Sequence, residues 1–369
     1  MRMRTPALVA GLLIAVVASC RDGPESATVG IAIRQDHRHV VAIDLARETL
    51  ARDRRDGELA IDFSLSPVAE AAPGEIDVLR AETLVSNAEI VAVLGPSHSR
   101  GALVAAPIYN TARVPHIPTI STSRLLREAG PWTFMLAPDD SAEGTFMAGF
   151  AAGELGATTA AVFYENDEYG VGLLEGIVSE LRRRGVEVTD RVPYTASSDI
   201  EALVSASWQR RPVSVFLVAG RNEEVSRVAR QAHALRPGLP VVASDAAMAF
   251  PDVVDSAGPG ASSLYITCLW SEESPDSLSR DFSRRFREFA GRAPEPFDAF
   301  TYDAAMVLGA AIRAAGPDRA AVAAWLRSLG EERPLHEGVT GQIGFGVRAM
   351  PHFRMVRIVD GKPVPVTGS

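Results

Sequence analysis

The sequence predicts an α/β protein with two Rossmann-like lobes, each a parallel sheet flanked by helices. Two observations support this prediction: strand and helix patterns alternate along the chain, and the alternation restarts after a linker near residue 139. The chain also has 369 residues, of which 47% are hydrophobic and 22% charged. That length exceeds the roughly 250–300 residues at which a single hydrophobic core stops growing, so two domains are expected.

The first twenty residues have the pattern of an export signal. MRMR is a short cationic segment, residues 6–18 are apolar or small, and Cys20 follows where small residues mark a cleavage site. We therefore predict a lipoprotein signal peptide at residues 1–19, lipidation of Cys20 and a tether at residues 20–27. The alternative is an ordinary secretory signal with an incidental cysteine. The apolar run is shorter than the roughly 20 residues that span a bilayer, so we expect membrane contact by the lipid anchor only.

In the first half of the chain, apolar runs with strand character alternate with amphipathic segments at helical spacing. The predicted strands lie at residues 28–33, 58–65, 89–95 and 114–120. The predicted helices between them lie at residues 40–55, 75–87 and 102–112. Strands joined by helices pair in parallel, and ligands of such sheets bind outside the carboxyl ends of the strands.

The second half follows the same scheme. Its predicted strands lie at residues 159–166, 186–194, 212–220 and 239–245, and its helices at residues 142–156, 170–185 and 223–236, with another helix between the strands 186–194 and 212–220. Three more amphipathic or apolar segments predict helices at residues 277–291, 300–316 and 320–330. The tail predicts strands on either side of the turn Asp360-Gly361.

The junction between the third strand and the third helix, in VAVLGPSHSRGALVAAP (residues 91–107), is the first candidate for a site. An apolar run stops at Gly95-Pro96, and Ser97, His98 and Ser99 follow before the helix, which we expect to begin at about Ser99. Helix N-termini carry unpaired N–H groups and a partial positive charge, which favour an anion such as a carboxylate. The alternative is that Ser97 or Ser99 only caps the helix.

Six segments together resemble the leucine/isoleucine/valine-binding protein family, which has the type I periplasmic binding protein fold. In chain order they are VAVLGPSHSRGALVAAP, VPHIPTISTSRLL, AVFYENDEYGVGLLEGI, VVASDAAM, FDAFTYDAAMVLGAAI and GVTGQIGFG. The resemblance implies two lobes joined by three crossover strands, with the ligand in the cleft between them. It places lobe I at residues 28–138 and 270–342, and lobe II at residues 139–269 and 343–369.

The same resemblance implies ligand-binding roles for five residues. Ser99 and Thr122 match the family's ligand-holding serine and threonine, and Ile120 matches the residue whose carbonyl accepts from the ligand's ammonium. Tyr169 matches the tyrosine of the YGxG motif, and Asp245 the acidic residue that pairs with the ammonium. Structural alternatives are a strand-end turn for Thr122, a packed aromatic with its hydroxyl in water for Tyr169, and a helix N-cap for Asp245.

Three more residues are candidates for the same cleft: Ser97, His98 and Arg221. Arg221 stands where the family often has aromatic residues, and it either meets a second anionic group of the ligand or lies on the surface. The remaining cysteine, Cys268, lies in the apolar run SLYITCLW and is expected to be a buried small side chain.

Other function classes find little support in the sequence. The formal net charge of −9 argues against nucleic-acid binding, which needs a basic surface. GPSHS is not a nucleophile elbow, and the chain contains neither H-E-x-x-H nor a phosphate-binding loop, so we expect no enzyme, cofactor or metal.

The resemblance therefore predicts an exported lipoprotein that binds an amino acid or a related amide or amine and delivers it to an ABC permease in the membrane. It would face the periplasm or the cell exterior. The alternative is a regulatory or sensory lipoprotein that uses the same fold to bind a protein partner, because fold alone does not distinguish the two.

Overall fold

The computed structural model describes residues 25–33, 37–71, 75–248, 250–272, 276–345 and 353–366. Within these ranges, strands alternate with helices in the order that the sequence predicts, and no helix is both long and apolar enough to cross a membrane. The predicted signal peptide, Cys20 and most of the predicted tether lie outside the described residues.

The first sheet of the described chain has four parallel strands in the order β2-β1-β3-β4. These strands are β1 (Ser26–Ile31), β2 (Ala60–Leu65), β3 (Ile90–Leu94) and β4 (His116–Ile117). Helices α1 (His37–Arg52), α2 (Ile76–Ser86) and α3 (Ser99–Ala112) connect them, and a 3₁₀ helix (Arg124–Glu128) follows β4. The predicted strand 114–120 keeps only two residues, because Pro115 and Pro118 on either side have no N–H group for the ladder.

A second parallel series follows, with β5 (Thr159–Glu165), β6 (Glu187–Tyr194), β7 (Val215–Ala219), β8 (Val241–Ala243) and β9 (Leu264–Cys268). The helices of this series are α4 (Asp140–Gly153), α5 (Glu168–Arg183), α6 (Ile200–Arg210), α7 (Asn222–Leu235) and α8 (Phe250–Ala257). Short 3₁₀ helices at Asp245–Ala247 and Gly258–Ser263 complete it, and neither these nor α8 were predicted. Cys268 is buried, as expected, and its thiol donates to the carbonyl of Trp270 at 2.7 Å.

The chain then returns to the first core. Helices α9 (Ser277–Ala290), α10 (Pro296–Ala315) and α11 (Arg319–Ser328) pack with α1, β1 and β3 in one hydrophobic cluster. A small antiparallel pair, β10 (His336–Gly338) and β11 (Gly341–Ile343), follows them. The carboxylate of Asp303 on α10 holds this pair, because it accepts from the N–H groups of Val339 and Thr340 at 2.9 and 2.8 Å.

The last described strands join the second sheet and not the first. They are β12 (Arg354–Val359), which pairs antiparallel with β9, and β13 (Lys362–Pro365), which pairs antiparallel with β12. Among the described residues, the second sheet therefore has seven strands in the order β13-β12-β9-β8-β7-β5-β6. Asp360 and Gly361 form the predicted turn, both with positive φ.

The predicted fold class is confirmed: the described chain forms two α/β lobes with separate sheets and separate hydrophobic clusters. The chain passes from one lobe to the other three times within the described ranges and their gaps. These passages lie between β4 and α4, between β9 and α9, and between β11 and β12. The residue boundaries of the lobes stay a prediction.

Candidate functional site

A cleft of about 940 Å³ lies where the carboxyl ends of strands from both sheets face each other. The first lobe contributes the start of α3, the segment after β4 and the start of α10. The second lobe contributes the loops after β5, β7 and β8. All eight candidate residues from the sequence line this cleft: Ser97, His98, Ser99, Ile120, Thr122, Tyr169, Arg221 and Asp245.

The strand-to-helix junction of the first lobe brings the N-terminus of α3 into the cleft. Gly95 ends the strand with φ near +102°, and a Cβ atom there would lie about 3.0 Å from the Ile33 side chain and 3.1 Å from the Ala32 carbonyl carbon. Helix α3 begins at Ser99, as predicted. The cap is His98, whose Nδ1 accepts from the N–H of Gly101 at 3.3 Å, so the suggestion that a serine caps this helix was wrong.

Ser99 instead links the two first-lobe segments of the cleft. Its hydroxyl oxygen accepts from the backbone N–H groups of Thr122 and Ser123 at 3.3 and 3.2 Å. Both of these residues are buried, and Ile120 beside them is half-buried. These two hydrogen bonds use the lone pairs of the Ser99 oxygen. The hydroxyl group can therefore still donate its hydrogen to an anion in the cleft.

On the second-lobe wall, Tyr169 and Asp245 are hydrogen-bonded to each other. The Tyr169 hydroxyl donates to Asp245 Oδ1 at 2.7 Å and accepts from the N–H of Ala246 at 3.4 Å. Tyr169 is therefore not an aromatic side chain with its hydroxyl in water. Asp245 is the first residue of its 3₁₀ helix and follows the capping residue Ser244, so the N-cap alternative for Asp245 was wrong as well.

Two acids that sequence reasoning missed, Asp140 and Glu143, lie near Asp245. Glu143 Oε1 accepts from the Asp245 N–H at 2.7 Å, and the backbone N–H of Asp140 donates to the Thr122 carbonyl at 2.8 Å. We call Asp140, Glu143 and Asp245 the acidic cluster; their exposed fractions are 1%, 1% and 8%. Among the described residues, no Lys, Arg or His forms an ion pair with any of the three.

Burial dominates the electrostatics of the acidic cluster. It raises the pKa of Asp140 to about 8, and the nearby charge of Asp245 adds to this effect. Burial and the charge of Asp245 likewise raise the pKa of Glu143 well above its usual value. The pKa of Asp245 is also raised by burial, although the hydrogen bonds from Tyr169 and Glu143 oppose the shift. Such a cluster favours a cation nearby, because a positive charge offsets the cost of ionising the carboxyl groups.

The sequence does carry a signal for these two acids. Asp140 and Glu143 are three residues apart at the start of α4, so they share a face of a helix that is otherwise mostly apolar. Acidic residues in a first turn usually lie in solvent and complement the helix dipole, which is why the pattern did not stand out.

Arg221 lies in the cleft wall and is already paired with acids. Its guanidinium contacts the carboxylates of Glu165 and Asp167, the latter at 3.2 Å, and it lies 5.4 Å from the centre of the Tyr169 ring. About half of its side chain is exposed. The positive charge of Arg221 is therefore compensated before any ligand arrives. Among the described residues, no group of three or more His, Cys, Asp or Glu side chains is placed to hold a metal ion.

Comparisons with known proteins give a family match and solved structures of the same fold. The profile of a family described as periplasmic binding protein matches residues 71–362. An amino acid binding protein of Pseudomonas aeruginosa is 24% identical over 251 residues, which are 67% of each chain. A substrate-binding protein of an ABC transporter from Desulfitobacterium hafniense, in complex with Leu, superposes with a TM-score of 0.79 at 23% identity, covering 93% of this chain and 100% of that one. A solute-binding protein from Rhodopseudomonas palustris, in complex with 3,4-dihydroxybenzoic acid, gives 0.75 at 17% identity over 93% and 96%.

Proposed function

The chain belongs to the periplasmic binding protein family, and on that premise we propose that it binds an amino acid, or a related amide or amine, in the cleft between its lobes. Membership in this family makes it a non-enzymatic, extracytoplasmic solute-binding component of an ABC transporter, with the type I fold. The finer parts of the proposal are the ligand class, the residues that bind it and the lipid anchor.

The observation that carries the proposal is the opposite chemistry of the two cleft walls. The first-lobe wall offers the N-terminus of α3 and the hydroxyl of Ser99, which suit a carboxylate. The second-lobe wall offers Asp245, supported by the Tyr169 hydroxyl, which suits an ammonium group. An α-amino acid carries both groups on one carbon atom, so it can bridge the two walls.

The ligands of the structural relatives support only the carboxylate site on the first-lobe wall. Leucine and 3,4-dihydroxybenzoic acid, which occupy the two relatives described above, share a carboxylate but not an ammonium. A carboxylate site by itself therefore suits either class. The acidic cluster favours an amino compound in this chain, because a positive charge beside Asp245 offsets the cost of ionising a buried carboxyl group and a ligand without that charge does not.

Binding would also favour closure of the lobes. A ligand shifts the population of a closed state only if it binds that state more tightly than the open one, which requires contacts with both lobes. Ser99, Ile120 and Thr122 would supply the contacts of the first lobe, and Tyr169 and Asp245 those of the second. The closed form would then be presented to the permease.

We further propose that Cys20 is lipidated and holds the protein at the membrane through the tether at residues 20–27. We expect a Cys20→Ala variant to be released from the membrane fraction while its solute affinity stays unchanged. An anchored Cys20→Ala protein would contradict the lipid anchor without affecting the binding proposal.

The test of the ligand class is isothermal titration calorimetry of the purified chain against amino acids, amides, amines and benzoic acids. We expect an amino acid or amine to bind and Asp245→Asn to weaken that binding by about 2–5 kcal/mol, because one partner of a desolvated charge pair is lost. Asp255→Asn, at an exposed aspartate of α8, is the matched control and should bind like the original chain.

Two results would contradict the proposal. Binding of a benzoic acid in preference to every amino compound would reassign the ligand class. A folded protein that binds none of these solutes would favour the alternative of a lipoprotein that binds a protein partner.

A further inference from the structure

The end of β5, the start of α5 and the turn between them place an excess of negative charge on the second-lobe wall of the cleft. Glu165, Asp167 and Glu168 fall within four consecutive residues, which we call the acidic loop (residues 165–168), and all three line the cleft. Arg221 is paired with the first two. Among the described residues, Glu168 forms no ion pair with a basic side chain, and it is exposed. The acidic loop therefore keeps a net negative charge after Arg221 is counted.

The rest of the cleft does not balance this charge. Of the described residues that line it, five carry a carboxylate and two carry a guanidinium group. The second guanidinium belongs to Arg100, which lies beside the N-terminus of α3 on the opposite lobe and adds to the site suited to a carboxylate. The fifth carboxylate, that of Glu295 at the start of α10, lies on the same lobe as Arg100 and offsets its charge. The acidic excess therefore lies on the wall of Asp245 and of the acidic loop.

A neutral aliphatic side chain fits this wall poorly. When the lobes close and water leaves, the attraction or repulsion between charges strengthens, and an uncompensated excess of carboxylates opposes closure. A ligand with a single ammonium group would offset Asp245 and leave the acidic loop uncompensated. A ligand with two separated positive charges would offset both.

Building on the function proposed above, we propose that the solute is a basic amino acid, whose cationic side chain meets Glu168 of the acidic loop while its ammonium meets Asp245. The carboxylate of such a ligand lies at Ser99 and the start of α3. The apolar stem of its side chain lies against the apolar lining residues Met248 and Phe297.

Part of the acidic loop also has a structural role. Asp167 caps α5, since its carboxylate accepts from the N–H of Gly170 at 2.9 Å. Glu168 is in the first turn of the same helix, where an acid complements the helix dipole in any protein. A purely structural Glu168 would not distinguish a charged ligand from an uncharged one of the same shape, and that difference is what the experiment measures.

The experiment compares arginine with citrulline and lysine with norleucine by isothermal titration calorimetry of the full chain. Each pair shares a closely matched skeleton and differs in the positive charge of the side chain. We expect the charged member to bind about tenfold or more tightly, with a preference that shrinks in high salt. We expect Glu168→Gln to weaken arginine binding about fivefold and to leave citrulline binding unchanged. The control is Glu223→Gln, at an exposed first-turn glutamate of α7 outside the cleft.

The outcomes separate this inference from the proposed function. If citrulline, norleucine or leucine binds as tightly as the basic amino acids, the preference for a cationic ligand side chain is refuted. The proposal of amino-acid binding then still stands. An equal loss of arginine and citrulline binding in Glu168→Gln would assign Glu168 a structural role and also refute the inference. If no amino acid, amide or amine binds at all, both proposals fail together, whereas binding of an amide or amine alone refutes only the inference.

Discussion

At the residue scale, Ser99 joins two segments of the first-lobe wall that the chain separates by more than twenty residues. Its hydroxyl oxygen is the acceptor for two buried backbone N–H groups, those of Thr122 and Ser123. Replacing it with alanine leaves both donors without that acceptor, and a buried unsatisfied donor costs about 1–3 kcal/mol. Ser99 therefore contributes to the shape of the site as well as to ligand binding.

We expect Ser99→Ala to lower the free energy of unfolding by about 1–3 kcal/mol and to weaken solute binding by a similar amount. Urea denaturation measures the first effect and calorimetric titration the second. Ser97→Ala is the matched control for the unfolding measurement, since among the described residues the Ser97 hydroxyl makes no hydrogen bond. An unchanged unfolding free energy in Ser99→Ala would contradict the role given to its hydroxyl.

Individual site residues differ in how well the sequence predicts them. Ser99 was placed correctly at the start of α3 because a glycine, a proline and three polar residues interrupt an apolar run. Asp140 and Glu143 were missed because their burial depends on how α4 lies against Asp245, about a hundred residues later in the chain. No local pattern distinguishes a buried first-turn acid from a solvated one.

At the element scale, glycines let α4 and α5 approach closely enough to form the acidic cluster. A Cβ atom on Gly144 would lie 2.2 Å from the carbonyl oxygen of Leu173, and one on Gly176 would lie 2.2 Å from that of Ser141. Helix α4 carries Glu143 and helix α5 carries Tyr169, so the separation of these helices positions both side chains near Asp245.

We expect Gly144→Ala to lower the free energy of unfolding by about 1–3 kcal/mol, since the added methyl group must push the two helices apart. Gly153→Ala, on the exposed last turn of the same helix, is the matched control. A Cβ atom there would meet only Arg184 Nη1 at 3.7 Å, an ordinary contact. We expect that variant to be stabilised by about 0.5–1 kcal/mol, because alanine loses less backbone entropy than glycine. Equal changes in the urea midpoints of the two variants would contradict this account.

Most helices and strands were predictable because their hydrophobic periodicity is local. The order of the strands was not, because it depends on pairing between distant segments. Strand β12 joins the second sheet next to β9 although α9, α10 and α11, which lie between them in sequence, belong to the first core. That arrangement was expected only from the resemblance to a known family.

At the scale of the whole molecule, the cleft gathers charges from segments that are far apart in sequence. The acidic loop, Asp245 and Glu295 come from three separate parts of the chain and meet only after folding. The resemblance predicted the position of the ligand, but the excess of acid on one wall could be seen only in three dimensions. The acidic cluster, whose members Asp140, Glu143 and Asp245 also come from distant segments, makes the stability of the unliganded protein depend on pH.

We expect the unliganded protein to become less stable as the pH rises from 6.5 to 8. The folded state raises the pKa of Asp140 from 3.8 to about 8, so its protonated form is the one that the fold favours. The stabilisation from this group is complete at a pH below the unfolded pKa and is lost as the pH rises through the folded pKa. Over this window the loss for one such carboxyl group is about 1–2 kcal/mol.

The window from pH 6.5 to 8 separates the effect of the acidic cluster from that of three other buried groups, His116, Asp303 and Cys268. Burial lowers the pKa of His116 to about 3, so its effect on stability lies below pH 6.5, where the unfolded imidazole takes up a proton. The pKa of the Asp303 carboxyl is raised to about 6, and most of its stabilisation is lost before the window begins. Burial raises the pKa of the Cys268 thiol to about 12, which affects stability only above about pH 8.5, where the unfolded thiol ionises.

Urea denaturation at pH 6.5, 7.25 and 8 measures this dependence. We expect Asp140→Asn, which has no proton to lose, to make the profile less steep and to be more stable than the original chain at pH 8. Glu143, whose pKa burial also raises, keeps part of the slope. Asp62→Asn, at an exposed aspartate of β2, should leave the slope unchanged. A bound cationic solute should also reduce the slope, because its charge lowers the cost of ionising the acidic cluster. A profile that is equally steep in Asp140→Asn would show that the protons bind elsewhere.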